Sequence, residues 1–384
     1  MAVSEEKKEQ FAIACSERTS EEDAIKEISL AIKTAFPRTV DFALVFFTPH
    51  YKPLLIQKAL KLTLKPVTLI AIEAPLLIYE YKTIEHGIVV ACMDLGKIKL
   101  ATTALNEDKV ESIEVALRKT RQEIRPFDLL LGFLSPKINY DHCIGGLKFA
   151  FGKTARVLTA GYEENPDVHY QHLLNDRIEN GYLYFAISAG FNIHYEKISG
   201  FLPLGMPFTF TKVDRERNLI LEIDHKPAVE IYRKYLEDKF EIFLKKKLCY
   251  LYPFGIKSAG QYRLVSIEDI LEGDSLKYLG HVEEGFQARL MMINEDLLGE
   301  TILDLMAAVK EKLAPKLVII VSSLVRKQIL KQKTDREIGI IKKVIGKDSN
   351  VIGFYSDYQI IFDEASKEFI IEKGDLHVTF WGNK

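Results

Sequence analysis

The chain has 384 residues, 47% hydrophobic and 28% charged, which makes it a folded globular protein long enough for two full cores. Its formal net charge of −2 argues against a nucleic-acid or polyphosphate binder, which needs a basic surface. The four cysteines, Cys15, Cys92, Cys143 and Cys249, include no Cys-x-x-Cys pair, a spacing that fits a reducing compartment and speaks against a disulfide frame or structural zinc. Residues 1–19 are charged and hold no sustained apolar core, and no run of about eighteen apolar residues is present to span a bilayer. A cytoplasmic protein with no membrane span is expected.

In chain order, Ser20, Glu21, Glu22 and Asp23 form a capping box. Behind it Ala24, Ile28, Ala31 and Ile32 line one face of a helix that Pro37 stops. The apolar run 42–47 reads as a buried strand, 54–64 as a helix and 67–72 as a second buried strand, which together make a parallel, right-handed βαβ unit. The runs 87–94 and 97–105 alternate and lie close together, which predicts an antiparallel pair. A helix carrying Val110, Ile113 and Leu117 leads to a strand at 128–132. A helix at 138–151, a strand at 156–159 and a hairpin of 181–189 with 193–198 follow.

At the centre, Gly200, Pro203 and Gly205 form a corner, and Phe208, Phe210, Leu219, Leu221 and Ile223 alternate as two strands about the charged turn 214–218. Pro227 reads as a first helical residue, with Val229, Tyr232, Leu236 and Phe240 at helical spacing behind it. Strands are expected at 262–267, 276–279 and 286–292. The last third runs from a helix (Ile302, Met306, Val309, Leu313) to strand 317–321, helix 336–345, strand 351–354 and alternating strands 359–362 and 376–381. That order repeats the one begun at Phe42. The expectation is an α/β (mixed α+β) fold of two duplicated lobes, each a mixed β-sheet covered by helices in αββα-like layers. The boundaries are a helical segment 1–37 and domains 38–220 and 221–384.

The central stretch resembles the junction between the N- and C-terminal halves of FIST domains, a family of bacterial and archaeal sensory domains. The residues that carry the resemblance are Gly200, Pro203, Gly205, Thr211, Asp224, Pro227, Ala228 and Tyr232, with His225 where the family usually has glycine. Further on, Ser322 or Ser323 stands in place of the family's cysteine at a strand end, followed by Arg326, Glu337 and the strand end Gly353-Phe-Tyr-Ser-Asp-Tyr-Gln-Ile360. There Tyr358-Gln359 replaces Gly-Glu, Glu372-Lys373 replaces a closing His-Asn motif, and Ala71 to Ala74 replaces a polar Gly-Cys-Ser-Thr turn. The resemblance covers about 40–382. It implies a non-enzymatic sensor of a small polar metabolite such as an amino acid. It also implies output through a partner on another chain, a histidine kinase or a cyclase.

A ligand site follows from the βαβ pattern alone, because parallel strands 317–321 and 351–354 end on one edge and ligands bind beyond such ends. That edge gathers Ser322, Ser323, Arg326, Tyr355, Ser356 and Asp357, with Gln359 on the outgoing strand. An arginine fork beside hydroxyls and a carboxamide suits a small carboxylate. The opposing reading pairs Arg326 with Glu337 or Asp357 as ordinary structure.

Two rivals remain. The resemblance allows a haem-based nitric oxide sensor, for which His142, His169, His172 and His194 are candidate axial ligands; His169 and His172 share one face if their segment is helical. A divergent enzyme would use Ser322 or Ser323, though no partner histidine is placed by sequence. The stretch from Gly146 to Thr154 has five residues between its glycines, one more than a phosphate loop, and follows a helix.

Overall fold

Strand Phe42–Phe47 is buried over its whole length, the state that suits an unbroken apolar run with no face to show to water. It lies parallel to Thr68–Glu73, with helix Pro53–Thr63 as the crossover, as the sequence predicts. The structure is a computed structural model and describes residues 10–383 apart from 97, 125–126, 137, 153–155, 165–169, 176, 180, 189–190, 259 and 365.

Around this unit the described strands form four sheets. Sheet I runs Phe11–Ser16, Ile88–Met93, Phe42–Phe47, Thr68–Glu73, His172–Leu174, Arg177–Glu179. Sheet II runs Leu100–Leu105, Tyr182–Ser188, Phe127–Leu134, Val157–Gly161, Tyr358–Asp363, Glu368–Glu372. Sheet III runs Phe191–Ile198, Leu376–Asn383, Leu317–Ser323, Asn350–Ser356, Leu77–Tyr79, Lys82–Ile84. The three share one plan: the third and fourth strands are parallel, and the other neighbours are antiparallel. In each sheet the last two strands are a hairpin that comes from a different repeat of the chain. Residues 77–84 leave the first repeat for sheet III, 172–179 the second for sheet I, and 358–372 the third for sheet II. The repeat expected from the sequence is present three times instead of twice, and the traded hairpins close it into a ring.

Each sheet turns one face inward. Phe42, Leu44 and Phe46 of sheet I, Leu129, Leu131 and Phe133 of sheet II, and Leu317, Ile319 and Val321 of sheet III meet in a single central core. The alternate residues point outward beneath helices, as the two-residue period of a strand requires. Helices Glu21–Ala35 and Pro53–Thr63 cover sheet I, Val110–Glu123 and Tyr140–Phe151 sheet II, and Glu295–Lys312 and Thr334–Ile345 sheet III. The fourth sheet is inserted in the third repeat between Phe191–Ile198 and Glu295–Lys312, and its paired strands are antiparallel. Its long strand Phe201–Asp214 pairs with Gln287–Ile293 and also with Leu219–Ile223, which closes the insertion into a barrel around Phe208, Phe210 and Phe254.

Several local expectations are corrected. Ile88–Met93 and Leu100–Leu105 do not pair; they belong to sheets I and II. Tyr182–Ser188 and Phe191–Ile198 form no hairpin, because the first joins sheet II and the second sheet III. Pro227 pairs with Glu222 in a short strand, and the helix begins at Glu230. The segment before Pro37 supplies an edge strand, Phe11–Ser16, as well as its helix. Alternation tells that a strand has two unlike faces, but it does not tell which sheet the strand enters. No helix among the described residues is long and apolar enough to cross a membrane.

Candidate ligand-binding site

The carboxyl edge of sheet III does bring Ser322 beside Tyr355 and Ser323 beside Ser356 in parallel register. The strand period then divides the expected site residues between two faces. Tyr355 packs among the helices outside the sheet, on the same side as Ser322. Arg326 lies there too, fully buried, on helix Leu324–Leu330. It forks onto Glu337, with Nε donating to Oε2 at 3.2 Å and Nη2 to Oε1. Its remaining nitrogen, Nη1, donates to the carbonyls of Ser199 and of Gly374, the latter at 3.1 Å. The guanidinium is thus engaged on all three nitrogens and braces the chain on both sides of the inserted barrel.

Ser323, Ser356 and Gln359 have the opposite parity and face the central core. Ser323 caps the following helix by accepting from Val325 N at 3.3 Å, and Gln359 Nε2 donates to Ser356 Oγ at 2.7 Å. Across the hairpin from Gln359 sits Glu372. There the apolar interior becomes polar. Lys197 Nζ lies 3.2 Å from Glu372 Oε2 and 3.6 Å from Asp375 Oδ2. The Tyr195 hydroxyl is 2.7 Å from His377 Nδ1. His377 Nε2 is 3.2 Å from Glu372 Oε1, though not aligned as a hydrogen bond. Gln359, Asp375 and His377 have no exposed surface, whereas Lys197 keeps 20% of its side chain accessible and marks where the network meets solvent.

The network is incomplete. Gln359 Oε1, Glu372 Oε1, both Asp375 oxygens and His377 Nε2 have no hydrogen-bond partner among the described residues. Buried polar atoms are nearly always paired with protein, water or ligand, so five at one place require an explanation. Burial would raise the Glu372 carboxyl, but Lys197 and His377 outweigh it and hold it at about 2. Asp375 goes the other way, raised by burial and then by the charge of Glu372.

The ring of repeats gives a control for these residues. His377 stands opposite Val321, and the matching seats opposite Phe46 and Phe133 hold Val89 and Leu183. Lys197 stands opposite His377, and its matching seats hold Cys15 and Ala104. The fold accepts apolar side chains at these positions twice, so the lysine and histidine are not demanded by packing. Tyr195, Lys197, Asp375 and His377 were not among the residues the sequence singled out. The available signal was parity, since Lys197 shares the face of Ile193, and His377 the face of Trp381.

The other candidates fall elsewhere. His142 is held by Asp108 at 3.1 Å and His194 by Glu196 at 2.6 Å. His169 lies outside the described residues. His172 is in a strand, not a helix, and both its ring nitrogens lack a partner among the described residues; burial lowers it to about 4. It has no accessible surface, and the Phe133 ring lies 6.1 Å away. No group of three or more metal-ligating side chains is assembled among the described residues. From Gly146 to Phe151 the phosphate-loop look-alike is helix, Gly152 caps it, and Lys153 and Thr154 lie outside the described residues.

Two comparisons bear on the whole chain. It matches the FIST N domain over residues 41–226 and the FIST C domain over residues 228–357. No curated protein matches it.

Proposed function

The chain belongs to the FIST family, a sensory domain family of signalling proteins, and on that premise we propose that it is a receptor module that holds a small polar metabolite and reports it to a partner chain without transforming it. The ligand sits in the interior network, where Gln359, Glu372, Asp375 and His377 offer unpaired atoms beside Lys197 and Tyr195. Arg326, Glu337, Ser322 and Tyr355 form the outer wall, and Arg326 steadies the 374 turn from behind. The observation that carries this reading is the contrast between equivalent seats: Lys197 and His377 in one repeat against Cys15, Val89, Ala104 and Leu183 in the other two.

The test makes the third repeat like the others. A Lys197→Ala/His377→Leu variant keeps the seats filled by side chains that their counterparts already use. A thermal-shift screen of amino acids, organic acids and sugars on the wild type should find a stabilising compound, because a ligand at a hundred times its Kd adds about 2.7 kcal/mol. The variant leaves Glu372 and Asp375 without Lys197, a loss of about 3–5 kcal/mol, so its folding is checked by circular dichroism, and the folded variant should lose that shift. The reading fails if no metabolite stabilises the wild type, or if the variant responds as the wild type does.

A further inference from the structure

Resting on the reading that the interior network is the ligand site, we infer that its ligand is a protonated amine, held by the unpaired acceptors of Gln359, Glu372 and Asp375. The cluster sets two buried carboxylates against one paired lysine. Arg326 and Glu337 offset one another in a separate ion pair, and among the described residues Lys197 is the one lysine or arginine ion-paired to the two buried carboxylates Glu372 and Asp375. His377 lies between two of these groups, with Nδ1 at 2.7 Å from the Tyr195 hydroxyl and Nε2 at 3.2 Å from Glu372 Oε1. An excess negative charge with no exposed surface is costly unless a cation or a proton joins it.

The unpaired atoms point to the same chemistry. Four of the five are acceptors, namely Gln359 Oε1, Glu372 Oε1 and the two Asp375 oxygens. An ammonium offers three donors and one positive charge, so it meets both deficits, whereas a carboxylate or phosphate meets neither. Without ligand, burial and then Glu372 favour the protonated form of Asp375, and Lys197 and His377 oppose it. Tyr195 and Arg326 also face it, the latter through its bond to the Gly374 carbonyl. When the ammonium enters, the Asp375 O–H bond breaks, its proton leaves to solvent and the carboxylate accepts from the ligand N–H. Charge is conserved.

The experiment is calorimetric titration of the full chain with common amino acids, their deaminated 2-hydroxy acids and their decarboxylated amines, in buffers of different ionisation enthalpy. Amino acids or amines should bind at least about tenfold tighter than the matching hydroxy acids, a difference of about 1.4 kcal/mol. Binding should release up to about one proton and tighten as pH rises, by no more than about tenfold per unit. Asp375→Asn should lose at least about tenfold in amine affinity. Ligand-free Asp375→Asn should also lose the wild type's decline in stability with rising pH, since a carboxyl raised in the folded state binds more protons than its unfolded counterpart. Proton release is read on the wild type and does not depend on the variant folding. Hydroxy acids binding as tightly as amines, or binding without proton release, would overturn the amine inference and leave the site itself standing. Amine binding unchanged in both Asp375→Asn and Lys197→Ala/His377→Leu would instead overturn the placement of the site.

Discussion

Replacing Arg326 by alanine separates the two roles that its position permits. Glu337 is 3% exposed, and its carboxylate would be left without its buried cation. Breaking one side of such a pair costs about 3–5 kcal/mol. The carbonyls of Ser199 and Gly374 would each lose a donor as well, at about 1 kcal/mol apiece. Arg326→Ala should therefore lose about 5–7 kcal/mol, a large part of a typical folding stability of about 5–15 kcal/mol. In Arg326→Met/Glu337→Leu no buried charge is stranded, so only the carbonyl cost of about 2 kcal/mol remains. Equilibrium urea unfolding of the wild type, the two single variants and the double variant at neutral pH gives the coupling between the residues. A loss below about 1 kcal/mol in Arg326→Ala, together with a lost ligand response, would refute the brace and restore Arg326 as the ligand anchor suggested by the sequence.

Two further outcomes follow from local geometry. His172 is lowered to about 4 by burial, so the unfolded chain binds its proton first and stability falls with pH, by about 2 kcal/mol between pH 7 and pH 5. Glu73, raised to about 7 by burial, acts in the opposite sense, so the measurement is the difference in urea midpoint between the wild type and His172→Phe at both pH values; parallel pH curves would refute it. His225 takes the left-handed conformation at φ 61, where a side chain costs about 1–2 kcal/mol and glycine only its extra entropy of about 0.5–1 kcal/mol. His225→Gly should stabilise by about 0.5–1 kcal/mol in the same assay, and a destabilised variant would count against the assignment.

The elements that stood out in the sequence were those whose pattern is local. The apolar runs at 42–47 and 317–321 and the Ser20 cap all formed as read, whereas the corner expected at Gly200 to Gly205 runs on as the long strand Phe201–Asp214. Gly205 owes its place to contact as much as to its φ of 69, because a Cβ there would meet the Tyr235 ring at 2.2 Å. What the sequence concealed depends on partners distant along the chain. The hairpin 77–84 follows sheet I in sequence yet completes sheet III, and no periodicity records that departure. The site divided for a related reason: Ser322 and Ser323 are neighbours in sequence but face opposite layers, and Lys197 meets a Glu372 that lies 175 positions further along the chain. His225 shows the converse case, where a departure from the family's glycine was visible and the backbone kept the conformation regardless.

The traded hairpins also decide what can count as a part of this molecule. Excising the first repeat would strip the middle from sheet I and the rim from sheet III at once, so no third of the chain is self-sufficient. Severing the backbone between repeats would instead yield fragments with complementary tabs and slots, which could find each other again. A disturbance beginning in one layer has a covalent road into the next, and from there around to its starting point.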